Sequence, residues 1–175
     1  MSIARIIASV VLSACLLPAW ADPLQDGMAA VQRKDYPTAL SLLEPLARAG
    51  SAPAQLQVGL LHYHGHGVRE SDAKALYWFD LAARQGLAEA QFNLGNMYAY
   101  GSADPPGGAD PKRLAAQWYF EAARQGHAQA QYSLGIMFLT GTGVVQDPDE
   151  AARWIGRAAA QGHPDASLYL KGKAP

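Results

Sequence analysis

Apolar residues recur at helical spacing in two kinds of segment that alternate along most of the chain. The first kind predicts a helix over 88–100, where four apolar side chains fall on one face. Those four residues are Ala90, Leu94, Met97 and Tyr98. The second kind predicts a helix over 111–125, because Asp110 supplies an N-cap and Pro111 follows at the first helical position. The pattern predicts an all-α chain built from pairs of helices.

The same short motif, Ala-Gln followed by an apolar residue and a glycine, repeats along the chain. Three copies lie at Ala54–Gly59, Ala90–Gly95 and Ala130–Gly135, offset by 36 and then 40 residues, and a fourth starts at Ala166. The four additional residues of the second unit fall in 102–111, a stretch rich in Pro and Gly that predicts a loop. Internal repetition at this period is typical of a solenoid of stacked units.

The repeat divides the chain into six segments. One unit is too small to bury its own apolar surface, so the copies must stack to form a core. We predict an export signal at 1–21, a degenerate N-terminal capping repeat at 22–53, full repeats at 54–89, 90–129 (with the loop insertion) and 130–165, and a truncated C-terminal capping helix at 166–175.

A glycine inside the first helix of each unit predicts a close approach between helices. Gly59, Gly95 and Gly135 occupy interior positions, where glycine costs ~1 kcal/mol relative to alanine. We expect the small residues of the second helix to be their partners and the aromatic residues to fill the space between units. The expected partners are Ala75, Ala82, Ala83, Ala115, Ala122 and Ala123.

The N-terminus has the pattern of an export signal. Arg5 precedes an apolar run over 6–17, and residues 19–21 give a small-x-small cleavage pattern. The run is shorter than the ~20 residues that span a bilayer, and we expect no integral membrane segment in the mature chain. We predict a periplasmic or secreted protein cleaved after Ala21. The alternative is a lipoprotein anchored at Cys15, because the preceding residues resemble a lipobox.

Composition and charge narrow the function classes. Charged residues make up 17% of the chain, below the globular average of about 25%, and the formal net charge is −1. Since there is no basic run, we expect no nucleic-acid partner. Cys15 is the single cysteine, so no disulfide forms within the mature chain and packing alone must stabilise it.

A cluster of alternating histidines is the strongest candidate for chemistry. His62, His64 and His66 have residue types that bind zinc or copper. However, His62 aligns with Tyr98 and Phe138 in an apolar aromatic position, and residues two apart on a helix point to different faces. We expect a buried His62, two solvated histidines and no cofactor. A metal-binding protein remains the alternative.

A Ser-x-x-Lys spacing at Ser71 and Lys74 matches the nucleophile motif of penicillin-recognising enzymes. The companion Ser-Asp-Asn and Lys-Thr-Gly motifs are absent from the sequence. The position is also a predicted helix start, where Ser71 or Asp72 serves as the N-cap. We therefore predict no enzymatic activity, with a β-lactam-binding or cell-wall-active hydrolase as an alternative.

Aromatic triplets and histidines recur at similar places in successive units. The triplets at 77–79 and 118–120 are expected in the core between repeats, with exposure of Tyr77 or Tyr119 as the alternative. His127 and His163 follow the Gln-Gly pair that closes a unit, and we expect them at helix ends on the surface.

The complete units resemble Sel-1-like repeats, relatives of the tetratricopeptide repeat. The resemblance rests on the A-Q-x-x-L-G start, the G-x-G-V loop and the A-A-x-Q-G end, and it covers residues 54–165, with a weaker match over 22–53. It implies an α-α superhelix of antiparallel helix pairs, with a concave inner face lined by the first helix of each unit. It also implies a scaffold or adaptor role rather than an enzymatic one.

Residues that bind a partner should differ between units, because the shared positions are needed for stacking. The expected partner is another protein or a peptide, in the bacterial envelope. Aromatic, aliphatic and amide groups on the inner face suit a peptide or an amphipathic helix better than an ionic ligand. The candidate residues are Leu60, His64, Phe92, Asn96, Tyr100, Tyr132, Ile136 and Thr140.

Overall fold

Nine α-helices and one short 3-10 turn make up residues 22–172, which are the residues described by the computed structural model; no strand occurs among them. Each helix packs mainly against the helices before and after it in the chain. The predicted all-α solenoid is therefore confirmed. The helices are α1 (Pro23–Gln32), α2 (Tyr36–Arg48), α3 (Ala52–Tyr63), α4 (Asp72–Arg84), α5 (Ala88–Ala99), α6 (Pro111–Arg124), α7 (Ala128–Thr140), α8 (Pro148–Ala160) and α9 (Pro164–Gly172), with the 3-10 turn at Pro106–Gly108.

Side-chain caps fix where the second helices begin. Ser71 Oγ accepts a hydrogen bond from the backbone N–H of Lys74 at 3.3 Å, so Ser71 rather than Asp72 is the N-cap of α4. Asp110 caps α6 and Asp147 caps α8 through their carboxylates, as the sequence predicts. These bonds satisfy backbone donors that the first turn of a helix leaves open.

The interior glycines lie under large side chains of the paired helix. A Cβ built on Gly95 would lie 2.7 Å from the ring of Tyr119, whereas Ala115 contributes only its backbone oxygen, at 3.4 Å. The predicted close approach is confirmed, but the prediction that alanine side chains are the nearest partners is wrong. A side chain can lie directly on a helix backbone only where no Cβ intervenes. The equivalent pairs are Gly59 with Phe79 and Gly135 with Ile155.

Buried glutamines connect successive units. Gln55, Gln91 and Gln131 each donate from Nε2 to a backbone carbonyl of the preceding second helix, at 3.0–3.1 Å. Each also accepts a 2.7 Å hydrogen bond from the glutamine that ends the second helix of its own unit. The glutamine of the Ala-Gln motif therefore joins three helices.

The predicted export signal at 1–21, including Cys15, lies outside the described residues. Over 22–172, none of the helices combines the length and the apolar character needed to cross a bilayer.

Candidate functional site

Three of the candidate binding residues come together in a groove between the second and third full units. Tyr100 at the end of α5 meets Tyr132 and Ile136 of α7, and the groove has a volume of about 320 Å³. We call it the inner groove, because the resemblance places the first helices on the concave face. Its lining residues are Ala99, Tyr100, Lys112, Tyr119, Tyr132, Ser133, Ile136, Met137 and Thr142.

Tyr100 is the most accessible aromatic side chain of this groove, with 81% of its surface exposed. Close by, Lys112 Nζ donates to the backbone carbonyl of Ala99, which holds the ammonium group against the end of α5. The groove therefore combines an exposed aromatic ring with one cationic group. Such a combination suits contact with both the side chains and the carbonyl groups of a peptide.

Asn96 supports the groove from below. Its Oδ1 accepts a 2.7 Å hydrogen bond from the hydroxyl of Tyr119, whose ring forms part of the groove wall. Burial raises the pKa of Tyr119, so this phenol stays protonated and keeps donating. The bond fixes the orientation of the ring, and Asn96 therefore acts on the groove through Tyr119.

The remaining candidates lie elsewhere or at the margin. Leu60 and Phe92 are half-buried and pack against the core, and His64 is exposed where α3 ends. Thr140 Oγ1 donates to the carbonyl of Ile136 at 3.0 Å and lies 2.8 Å from the hydroxyl of Thr142, which lines the groove. The contiguous part of the predicted surface is thus confined to the second and third full units.

His127 is not the simple surface residue that the sequence predicts. Its Nδ1 accepts a hydrogen bond from the backbone N–H of Ala130 at 3.1 Å, so the imidazole caps α7. Its ring stacks on Phe92, with centroids 4.7 Å apart. On its other side Nε2 lies 2.9 Å from the carboxylate of Glu89. The hydrogen bond to His127 lowers the pKa of Glu89.

His163 is also misplaced by the sequence prediction, because it is buried. Its ring stacks on Tyr132 at 4.6 Å and its Nδ1 accepts from the backbone N–H of Ala166, at the start of α9. Nε2 lies 2.8 Å from Oε1 of Gln129. Each of these histidines is covered by an aromatic residue of the preceding first helix, Phe92 on α5 for His127 and Tyr132 on α7 for His163. The repeat alignment alone does not reveal this contact.

The histidine cluster separates into one core residue and two loop residues. His62 is buried, as predicted, and its Nδ1 is buried without a hydrogen-bond partner. Burial, reinforced by the charge of Lys74, lowers the pKa of His62. His64 and His66 are exposed, and His66 stacks on Tyr36 at 4.6 Å. Within 22–172, no three His, Cys, Asp or Glu side chains are grouped so that they could hold a metal ion.

Sequence reasoning missed a second groove, which lies along the second helices α6 and α8. Two adjoining cavities of about 530 and 460 Å³ share Phe120 and Phe138. We call this the outer groove and define its apolar surface by Leu114, Trp118, Phe120, Phe138, Val144 and Trp154.

The expectation that both aromatic triplets are core residues is only partly correct. Phe79 and Tyr119 are buried, but Tyr77 is 58% exposed and Phe120 is 40% exposed. A helix turns about 100° per residue, so three consecutive side chains cannot all face the same core. The signal that identifies Phe120 is its departure from the repeat, because Asp80 and Gly156 stand at the same position in the neighbouring units.

Stacked helix pairs with grooves between the units define a helical repeat protein. A sequence profile of the Sel1 repeat matches residues 24–51, 52–87, 88–127 and 128–163, which together cover most of the chain. The chain belongs to the Sel1 repeat family, whose members typically mediate protein–protein interactions.

Similar proteins share this repeat over short stretches. The human protein sel-1 homolog 2 is 37% identical over 71 residues, which cover 40% of this chain and 10% of that protein. The ERAD-associated E3 ubiquitin-protein ligase component HRD3A of Arabidopsis thaliana is 39% identical over 62 residues, covering 35% of this chain and 9% of that protein. The matched stretch is thus about a tenth of the length of these curated relatives.

Two crystal structures of bacterial proteins have a similar fold. A Sel1 repeat protein from Oxalobacter formigenes superposes with a TM-score of 0.75 and 34% identity, over 83% of this chain and 57% of that chain. A protective antigen of uropathogenic Escherichia coli, which displays an SLR fold, gives a TM-score of 0.76 and 33% identity, over 85% of this chain and 32% of that chain.

Proposed function

We propose that this chain is an exported adaptor that binds a peptide segment of another protein in the inner groove. The observation that carries the proposal is the exposed Tyr100 ring beside Tyr132 and Ile136. Large exposed aromatic side chains next to a concave surface are typical anchors of protein interfaces, because they bury much apolar area at a low entropy cost. Membership in a family that binds other proteins supports the same conclusion.

The groove favours an extended or helical peptide of mixed polarity. Tyr132 and Ile136 offer apolar contact, while Lys112 and Ser133 offer polar groups at the edge. An apolar centre with a few polar groups at its margin is the usual anatomy of a peptide-binding interface. No catalytic step is part of the proposal, since the Ser71 hydroxyl is engaged as a helix cap.

Photocrosslinking tests this function. The photoreactive amino acid p-benzoylphenylalanine replaces Tyr100 in one variant and Tyr77 in a matched control, and both are expressed in the native host. Tyr77 is also an exposed aromatic residue, but it lies on α4, away from the inner groove. We expect a specific adduct at position 100 that disappears when Ile136→Asp is added. Equal labelling from position 77, or none from position 100, contradicts the proposal.

The setting of this function, the bacterial envelope, rests on the leader pattern at 5–21. Mass spectrometry of the mature protein tests it. A chain that starts at Asp22 supports a soluble exported protein, and a lipidated chain that starts at Cys15 supports the lipoprotein alternative. A full-length chain that retains Met1 in the cytoplasm argues against export.

A further inference from the structure

The outer groove is built for a ligand that is longer than one side chain. Its two cavities adjoin at Phe120 and Phe138, and together their linings extend from Leu114 on α6 to Arg157 on α8. Each cavity falls in the range of about 300–1,000 Å³ that is usual for ligand sites. Trp154 closes one side, with its ring 5.9 Å from that of Phe120 in an edge-on arrangement. An elongated apolar channel of this kind matches a segment of polypeptide.

Two of the apolar residues that line this channel, Leu114 and Phe120, are not repeated in the neighbouring units. Phe120 aligns with Asp80 in the unit before and Gly156 in the unit after, and Leu114 aligns with Lys74 and Glu150. A side chain required to join units would recur in all of them, as the aromatic residue at Trp118 does. Phe120 instead exposes 40% of its surface beside an apolar cavity. An exposed apolar side chain that is contiguous with apolar cavities on both sides forms the kind of patch that marks an interaction site.

The margin of the channel is positively charged. Four arginines and two glutamates lie beside the channel. They give it a formal excess of two positive charges, on a chain whose net charge is −1. Both glutamates are already paired within their own helices. The charged residues are Arg113, Glu121, Arg124, Glu150, Arg153 and Arg157.

Two of these arginines are available to a partner. Among the described residues, no carboxylate pairs with Arg113 or with Arg157. The guanidinium of Arg157 lies 4.6 Å from the centre of the Trp154 ring, where it adjoins the apolar channel. A carboxylate placed at either end of the channel would therefore meet an unpaired guanidinium, which can bind it in a bidentate manner.

We propose that the outer groove is a second binding site, which accepts a peptide segment with aromatic or large aliphatic residues flanked by Asp or Glu. The apolar residues of the partner lie against Phe120, Phe138 and Trp154, and its carboxylates bind Arg113 and Arg157. The outer groove and the inner groove share no lining residue, so the chain can hold two polypeptide segments at once. Complementary charge speeds such an encounter and selects against basic partners.

Fluorescence anisotropy with labelled peptides tests the proposal. The probe is a fluorescein-labelled peptide of sequence Asp-Glu-Asp-Phe-Leu-Trp-Glu-Asp-Glu, titrated with the purified mature protein. We expect saturable binding that weakens as salt is raised, because the ion pairs lie at the solvent-exposed margin. A second probe, in which Lys replaces every Asp and Glu, should not bind.

Variants assign the binding to the outer groove. Phe120→Asp introduces the residue that α4 carries at the equivalent position, Asp80, so α6 should tolerate it. Circular dichroism checks that the variant is folded. We expect it to weaken binding roughly tenfold or more, since anchors at the centre of an interface dominate affinity. Tyr77→Asp is the control. It adds the same charge in place of an exposed aromatic residue that lies outside both grooves, and it should leave binding unchanged.

Three results overturn the proposal: no binding of the acidic peptide, equal binding of the basic peptide, or unchanged affinity in folded Phe120→Asp. The free amino acid derivative N-acetyl-tryptophan gives a further check. If it competes as well as the peptide does, the groove is a small-molecule site and the peptide proposal fails. None of these results bears on the crosslinking at Tyr100, so the two sites are tested independently.

Discussion

Gln91 and Gln125 are joined by a 2.7 Å hydrogen bond, in which the amide nitrogen of Gln125 donates to the side-chain oxygen of Gln91. The other end of Gln91 donates to the carbonyl of Ala83 at 3.1 Å. Gln91 on α5 is therefore bound to α4 and to the end of α6, and it is 5% exposed. A buried amide of this kind specifies how the units align, because any shift along the helices would leave polar groups unpaired.

Replacing Gln91 with leucine should destabilise the protein. The Gln91→Leu variant removes two buried hydrogen bonds, one to the Ala83 carbonyl and one from the Gln125 amide. The Ala83 carbonyl keeps its bond from the backbone N–H of Gly86. Each lost bond contributes about 0.5–1.5 kcal/mol, so we expect a loss of about 1–3 kcal/mol. Denaturation by urea, followed by circular dichroism, measures the change in the free energy of unfolding. Gln25→Leu, at an exposed position on α1, is the control and should stay within about 0.5 kcal/mol of the wild type. A Gln91→Leu variant as stable as that control would show that the hydrogen bonds contribute little.

Two glycines inside helices should respond in opposite directions to alanine. Gly95→Ala places a Cβ 2.7 Å from the Tyr119 ring, and we expect it to destabilise by about 1–3 kcal/mol through overpacking. Gly156→Ala on α8 meets no atom within 4 Å and should stabilise by up to about 1 kcal/mol through helix propensity. Thermal melts of the two variants give the comparison. A stabilised Gly95→Ala would contradict the observed packing of α5 against α6.

The positions of the helices can be predicted from local sequence, whereas the exposure of their side chains cannot. The apolar spacing and the Asp-Pro start predict helices over 88–100 and 111–125, and the structure has them at Ala88–Ala99 and Pro111–Arg124. Caps and periodicity act within one segment, so one segment is enough to reveal them.

The outer groove depends instead on how two units meet. Its place in the aromatic triplet predicts for Phe120 the same buried environment as Trp118 and Tyr119. The exposure of Phe120 is set instead by what α7 and α8 place beside it. The covering of His163 by Tyr132 is another contact between units. Such contacts join residues that are about one repeat apart, and the pattern within a helix carries no information about them.

Replacing His62 with phenylalanine should stabilise the protein, and more so at acidic pH. Phenylalanine matches Phe138 at the equivalent position and removes the buried Nδ1 that has no partner. Because burial lowers the pKa of His62 in the folded chain below the ordinary value of 6.5, the unfolded chain binds the proton first as pH falls. The wild type therefore loses stability as the pH falls below about 6.5, and the variant, which has no imidazole at this position, does not.

Measurements of the free energy of unfolding at several pH values between about 7.5 and 5 check this prediction. The gap between His62→Phe and wild type should widen on acidification. His64→Phe changes an exposed neighbour and is the matched control. A gap that is constant with pH would show that His62 does not become harder to protonate on folding.

Glu89 should stabilise the protein at neutral pH and lose that effect in acid. Its pKa is lowered in the folded chain by the hydrogen bond with His127, so the ionised carboxylate is favoured by folding. Such a contribution is present above the unfolded pKa of about 4.3 and disappears as pH falls through the lowered folded value. The side chain is 54% exposed, so solvent screening keeps the effect small. Melting temperatures of Glu89→Gln and wild type should differ at pH 7 and converge in acid, with Glu70→Gln in an exposed loop as the control. A difference that persists unchanged in acid would assign the effect to packing rather than to the carboxylate charge.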